Sequence, residues 1–236
     1  MALRVGLEVV AVDHTLAWVL EHPGCYAYAP DESSALAAVP RAVADYARWS
    51  AAHGGAVDVP ARPDEPVVDG VWSVYCIDES FDVVPEGYET NAWFQHDWKP
   101  LADHEVERAL RLADWTRGDL LAAVAGLDDA FLDRREDGER WSIRGILSHV
   151  ATAEWWYLDR LGLAPPRSQL PADAFERLIA ARAVFGAALD RLAGSRSVVG
   201  ADGEFWSPRK VVRRALWHER DHTQHIARLA TACGAG

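Results

Sequence analysis

The stretch Val211-Val-Arg-Arg-Ala-Leu-Trp-His-Glu-Arg-Asp-His-Thr-Gln-His-Ile-Ala-Arg-Leu229 decides how this chain is read. Within it, Val211, Ala215, His218, His222, His225 and Leu229 follow one another at steps of 4, 3, 4, 3 and 4, the alternation of a helix face turned toward a core. Three of the six seam positions are histidine, with apolar residues above and below. His218 and His222 stand one turn apart on one face, so both rings can reach one ion. An imidazole in an apolar seam needs hydrogen-bond partners or suffers desolvation. A shared divalent cation removes that cost, since zinc, nickel and iron all accept neutral imidazole nitrogen at about 2.0–2.2 Å. Glu219, Arg220, Thr223 and Gln224 fall off the seam. Ser207 and Pro208 read as the cap and first turn of this helix, which runs to about Ala232.

Three more helices precede it. Asp103 reads as the cap of one whose apolar positions Val106, Leu110, Ala113, Leu120 and Val124 keep helical spacing up to Gly126. A second is expected from Ser142 to Leu161, with Ile143, Ile146, Leu147 and Val150 inward and Gly162 closing it. A third is expected over Ala172 to Leu192, introduced by Pro171 and stopped by Gly194. Four helices of about twenty residues make a four-helix bundle. The second of them supplies His149, its one histidine and the candidate third ligand.

Three imidazoles without a thiolate leave a coordination position for water or substrate, as in catalytic rather than structural zinc. A metal-bound thiol or water loses its proton more readily and becomes a nucleophile near neutral pH. Glu154 and Asp221 are available as carboxylates to orient the rings, or equally as ion-pair partners of nearby arginines. His225 is a ligand, a supporting group or a pocket wall, and with Glu154 a candidate for moving protons. Trp155, Trp156 and Trp217 are candidate pocket walls, as are Trp93 and Trp98. Arg140, Arg144 and Arg220 could grip a substrate carboxylate, though each also suits solvent-facing ion pairing.

The other half of the chain is mixed. Leu3–Val10 and Leu16–Leu20 read as strands around an Asp13-His14 turn, His22-Pro23-Gly24 is a break, and Cys25–Tyr28 reads as a returning strand. A helix follows from about Ser33 to His53, capped by Asp31 or Ser33 and closed by Gly54-Gly55, in which Pro40 is expected to mark a start or a kink. Val57–Pro60 reads as a fourth strand. Prolines 60, 63 and 66 then lead into a β-like run, Val71–Ile77, and an acidic, aromatic stretch, Phe81–Trp98. That segment reads either as packed connecting strands or as a lid formed by Trp93, Phe94, His96 and Trp98. The class is α+β, with a small α+β domain over 1–60, a strand and linker segment over 61–100, and the helical domain over 101–236.

Composition narrows the functions. Among 236 residues, 36 acids against 24 bases give a net charge of −12, which disfavours nucleic acid and anionic membrane as partners. Glu8, Asp13 and His14 interrupt the N-terminal apolar run, so neither a signal peptide nor a membrane span is expected. Three cysteines without CxxC spacing make no disulfide framework, and a cytoplasmic protein is expected. No GxSxG occurs, and Cys25, Cys76 and Cys233 have no readable base partner, so a Ser or Cys hydrolase is unsupported. Eleven tryptophans and nine histidines are present. Five of the former and four of the latter fall in the last hundred residues, which suggests a site with aromatic walls.

Two resemblances add expectations. Trp18-Val-Leu-Glu-His-Pro-Gly-Cys25, Asp31-Glu-Ser-Ser-Ala-Leu-Ala37 and Val57-Asp-Val-Pro60 resemble the HicB-like fold, the antitoxin half of a toxin–antitoxin pair; the resemblance implies a fold for residues 1–60, without a following DNA-binding segment. Arg140-Trp-Ser-Ile-Arg-Gly-Ile-Leu-Ser-His149, Val150-Ala-Thr-Ala-Glu-Trp-Trp-Tyr157 and Trp217-His-Glu-Arg-Asp-His222 are similar to the DinB superfamily, which includes the YfiT-like metal-dependent proteins. That resemblance implies a divalent metal on His149, His218 and His222. It also implies a transferase or isomerase using a low-molecular-weight thiol such as mycothiol, bacillithiol or glutathione. Where that family often carries Arg-Gly-Gln after the last ligand, this chain has Thr223-Gln224-His225. Metal-assisted hydrolysis is a variant reading. The alternative is a non-catalytic binding module stiffened by its metal, in which the HicB-like part holds a protein partner or a second subunit as a homodimer.

Overall fold

The structure, a computed structural model, describes residues 3–55, 66–77 and 88–232, of which Ala232 by its backbone alone. Strands β1 (Arg4–Ala11), β2 (His14–Val19) and β3 (Tyr26–Ala29) form an antiparallel meander. Asp13 makes the first turn at φ 63°, a conformation that Asp tolerates better than most residues. Helix α1 (Glu32–Ala52) follows, capped by Asp31, whose Oδ1 accepts from the Ser34 N–H at 2.8 Å. Pro40 lies inside α1 and neither begins nor ends it. A mid-helix proline forfeits one backbone bond at a cost of about 3 kcal/mol. The buried stripe Ala35, Val39, Val43 and Tyr46 runs through both sides of it and holds the helix on the sheet.

The strand expected at Val57–Pro60 lies outside the described residues, as do residues 81–87 and Cys233. The strand that joins the sheet after α1 is β4 (Val67–Ser73), parallel to β1, giving the order β3-β2-β1-β4. The β-like run Val71–Ile77 therefore divides between β4 and β5 (Cys76–Ile77), which pairs with β6 (Tyr88–Glu89).

The chain divides into two compact units, one of residues 1–99 with 196–213 and the other of 100–195 with 214–236. In the first, Phe94 lies across Gly6, where a Cβ would come within 2.6 Å of its ring. Buried Glu8 accepts from Trp18 Nε1 at 2.9 Å and from the Ala92 N–H at 3.1 Å. A second hairpin, β7 (Val199–Ala201) and β8 (Glu204–Trp206), turns on Asp202-Gly203, both at positive φ, the geometry an Asp-Gly turn selects. Glu204 pairs with Lys210 at 2.9 Å and Asp97 with Arg213 at 2.7 Å, all four buried. Trp93 and Trp98 meet Phe205 at 5.7 and 5.8 Å, and Phe94, His96 and Asp97 are buried, so residues 88–98 pack as part of this unit. Burial, followed by the charges of Arg209, Lys99, Arg4 and Arg213, lowers the His96 pKa to about 3.

The second unit holds α2 (Asp103–Ala123), α3 (Asp129–Asp133), α4 (Ile143–Asp159), α5 (Ala174–Leu189) and most of α6 (Pro208–Ala232). Asp103 is the first helical residue of α2 and not its cap; Ala102 precedes it and donates its N–H to Glu105 at 2.9 Å. Asp173 caps α5 by accepting the Phe175 and Glu176 N–H groups on its Oδ1. Leu120, Ile146, Leu147, Val150, Leu178 and Ile226 bring the four long helices into one core. Among the described residues no helix is long and apolar enough to cross a membrane.

Candidate metal centre

Ser142 starts α4 by accepting the Gly145 N–H on its Oγ at 3.2 Å. Ile143, Ile146, Leu147 and Val150 then face the core. This fixes the rotation of the helix and turns the flank bearing His149 toward α6. On α6 the buried residues Val211, Ala215, His218 and Ile226 define the inward stripe, and His222 lies one turn beyond His218 on the same side. The three rings meet edge to face, with centroids 4.8 Å (His149–His218), 5.1 Å (His149–His222) and 4.5 Å (His218–His222) apart. Their candidate ligand atoms all lie within 4.8 Å of one another, and among the described residues no other group of His, Cys, Asp or Glu does the same.

The electrostatics favour neutral rings. Burial lowers the His149 pKa to about 4, helped by His222 and Arg140. Burial also takes His222 to about 4, with the nearby His225 adding to it. His218, which is buried, is held well below its ordinary value by burial first, then by His222, His149 and Arg214. At neutral pH each ring therefore keeps a nitrogen lone pair. His149 Nε2 and His218 Nε2 stand 3.0 Å apart. Two nitrogens bound at right angles to one ion, each about 2.1 Å from it, are separated by about 3.0 Å. His222 Nδ1 is buried without a hydrogen-bond partner among the described residues. Spacing, neutrality and the unpartnered nitrogen together fit a divalent metal.

Trp141 is the neighbour that the sequence reading left out of the site. It lies nearly flat on His149, centroids 4.4 Å apart and planes inclined by 26°. Gly145 makes the approach possible, because a Cβ there would stand 2.9 Å from the Trp141 Cβ. The pair Trp141 and Gly145, four residues apart on either side of the Ser142 cap, was the available signal. Arg140 in turn places its guanidinium over Trp141 at 4.6 Å.

The other expected residues are distributed as follows. Trp217 adjoins the site, 5.8 Å from His218, with Arg214 over its ring at 4.5 Å. Tyr157, not expected, meets His218 edge-on at 6.1 Å. Trp155 donates to the Pro165 carbonyl at 2.9 Å, and Trp156 packs with Tyr157 and Arg160. Trp93 and Trp98 belong to the first unit. His225 stands 6.1 Å from His222 and sets its Nε2 3.0 Å from Glu139 Oε2. Arg144 is occupied by Asp129 and Asp133.

Glu154 touches no imidazole nitrogen. Its oxygens accept from Arg117 Nη2 at 3.0 Å and Arg182 Nε at 2.7 Å. Glu219, placed off the seam by its spacing, is buried and accepts from Thr116, Arg117 and Arg182. Burial alone would raise the Glu219 pKa; the charges of Arg182 and Arg117 hold it below the ordinary value. This network of five side chains lines the inner side of His218, where the space between Val150, Glu154, Tyr157, Ala215 and Glu219 is narrower than a water molecule. Access is from the other side, where His149, His222, His225, Glu139 and Trp141 are half-exposed.

The profile of the DinB superfamily matches residues 112–226. Among solved structures, YfiT from Bacillus subtilis, described as a probable metal-dependent hydrolase with an unusual four-helix bundle topology, aligns with 67% of this chain and 99% of its own, at 17% identity and a TM-score of 0.46. No curated protein matches the chain.

Proposed function

We propose, on the match of residues 112–226 to the DinB superfamily, that the chain is a metal-dependent transferase or isomerase that uses a low-molecular-weight thiol. His149, His218 and His222 are the ligands of a divalent ion of zinc, nickel or iron type. The observation that carries the reading is the convergence of three neutral imidazoles whose inner side is sealed and whose outer side is half-exposed. When bound, the ion lowers the pKa of a thiol and directs it at an electrophile.

The chain's own residues do the rest. Trp141 fixes the plane of His149, and Trp217 and Tyr157 wall the site. His225 donates its Nε2–H to the Glu139 carboxylate at 3.0 Å. Glu154 and Glu219 are both engaged by Arg117 and Arg182. A thiol suits this arrangement because it needs no strong carboxylate base, unlike the activation of water.

Elemental analysis of the purified protein and of His149→Ala, His218→Ala and His222→Ala tests the ligands; stoichiometric metal in the parent and its loss in each variant are expected. Turnover of an electrophilic aryl halide with mycothiol, bacillithiol or glutathione tests the reaction. Metal content unaltered by the substitutions removes the ligand set, and loaded protein inert with all three thiols removes the transferase. One observation favours a second reading, metal-assisted hydrolysis: the His225–Glu139 pair can serve as a base for water. Product formation without any thiol selects it. A loaded protein inert in both assays leaves the non-catalytic binding module.

A further inference from the structure

Two arginines join the helices that carry the candidate ligands. Arg117 on α2 donates from Nη2 to Glu154 on α4 at 3.0 Å and from Nε to Glu219 on α6 at 2.5 Å. Arg182 on α5 makes the same two links, from Nε to Glu154 at 2.7 Å and from Nη2 to Glu219 at 2.5 Å. The four charges therefore close into a ring with one member from each long helix. Both arginines are anchored further: Arg117 Nη1 donates to the Leu178 carbonyl of α5, and Arg182 Nη1 to the Ala113 carbonyl of α2. The most exposed of the four side chains, Arg182, keeps only 16% of its surface in solvent.

The corners of this ring on α4 and α6 stand close to the ligands. Glu219 follows His218 directly, and Glu154 lies five residues beyond His149, about 7.5 Å along the helix axis. Apolar packing is non-directional and tolerates small slips of one helix along another, whereas charge-assisted bonds fix both distance and angle. Stability alone does not account for the ring, because apolar residues of similar volume often hold a core as well as a buried ion pair does. Its charges also cancel, so it brings no net charge to the inner side of His218.

We propose that Arg117 and Arg182 are positioning residues of the metal centre: by bridging Glu154 to Glu219 they set the register of α4 against α6, and so hold His149 opposite His218 and His222 before an ion arrives. This rests on the metal reading above and gives the task of aligning the ligands to two helices, α2 and α5, that supply none.

A variant with Arg117→Met, Glu154→Leu, Arg182→Met and Glu219→Leu together separates alignment from stability. With chelator present it is expected to keep the urea midpoint of the parent protein, while its zinc affinity, read by competition with a chromophoric chelator, falls by about tenfold or more. Leu132→Ala opens space in the same core and should lower the urea midpoint with zinc affinity kept within about twofold. Glu154→Gln keeps the volume and removes one charge of the ring; it should lose zinc affinity by about threefold or more at a urea midpoint no lower than that of Leu132→Ala. Unchanged affinity in whichever ring variant folds overturns the inference, and so does a loss that Leu132→Ala reproduces. Unfolding of both ring variants assigns the four charges to stability and overturns it as well. A parent protein that binds no zinc, nickel or iron overturns the metal reading itself, and the inference falls with it.

Discussion

His149 Nε2 and His218 Nε2 face each other at 3.0 Å, although 69 positions separate the two residues in the chain. A hydrogen bond between two neutral rings and a shared ion both place nitrogens at this distance, and they differ in their effect on stability. An ion at about 100 times its dissociation constant adds about 2.7 kcal/mol, which for a chain of this size is a Tm rise of about 5–10 °C. Calorimetric scans with added zinc or nickel and with a chelator measure it. Identical Tm values would reduce the contact to a hydrogen bond.

The stack of Trp141 on His149 depends on the missing side chain at position 145. Gly145→Ala sets a methyl 2.9 Å from the Trp141 Cβ, so the indole has to move off the ring. Alanine is favoured over glycine in helices by about 1 kcal/mol, yet the crowding should leave the variant less stable by about 1–2 kcal/mol. Its metal affinity should fall by about tenfold, the lower end of the range for groups that orient a ligand. Competition with a chromophoric chelator gives the affinity. An unchanged value would show that the ring needs no such support.

Glu219 is enclosed with Arg117, Arg182 and Thr116. Removing one partner of a buried ion pair costs about 3–5 kcal/mol, because the remaining charge is left without compensation. Glu219→Ala is expected to lose that much in urea denaturation. A loss below about 1 kcal/mol would place the network in the class of exposed pairs.

The pH response of the first unit follows from His96, which titrates at about 3 in the fold against an ordinary 6.5. Between those values the unfolded chain takes up a proton that the folded chain refuses. Stability from this residue is therefore complete above pH 6.5 and declines toward pH 3, by up to about 1.4 kcal/mol per pH unit. The charged groups around it are Arg209, Lys99, Arg4 and Arg213. With chelator present, the stability difference between the parent protein and His96→Gln should shrink between pH 7.5 and pH 5 by about 1–2 kcal/mol. A difference independent of pH would show that the ring is hydrated in the fold.

Elements with a strong period were legible in the sequence, and contacts that depend on long-range partners were not. The 4-3 spacing along α6 and the apolar face of α4 turned His149, His218 and His222 toward one another, since both patterns fix which side of a helix faces inward. The meander β1–β3 and the Asp31 cap of α1 followed from local turn and cap chemistry. Glu219 and Lys210 are charged residues whose burial depends on partners far off in the chain, and nothing in their own neighbourhood announces those partners. Strand β4 was blurred because its ladder to β1 is parallel and distant, so no hairpin turn marks its register. Asp202-Gly203 was a readable turn signal that went unused, which left the β7–β8 hairpin and the sharing of α6 between two units unrecognised.

That sharing bears on how the polypeptide comes off the ribosome. The first unit needs residues 196–213 as well as 1–99, and Glu204, Lys210 and Arg213 are among its buried charges. Its early strands must wait, without their closing segment, until residues 196–213 have been synthesised. A recombinant piece begun near residue 100 would keep Lys210 and Arg213 while discarding the Asn91 carbonyl, one of three acceptors of the Lys210 ammonium, and the Asp97 carboxylate that pairs with Arg213. Dissecting this protein into expressible halves therefore requires re-engineering the start of its last helix, and a cut in the linear chain alone will not serve.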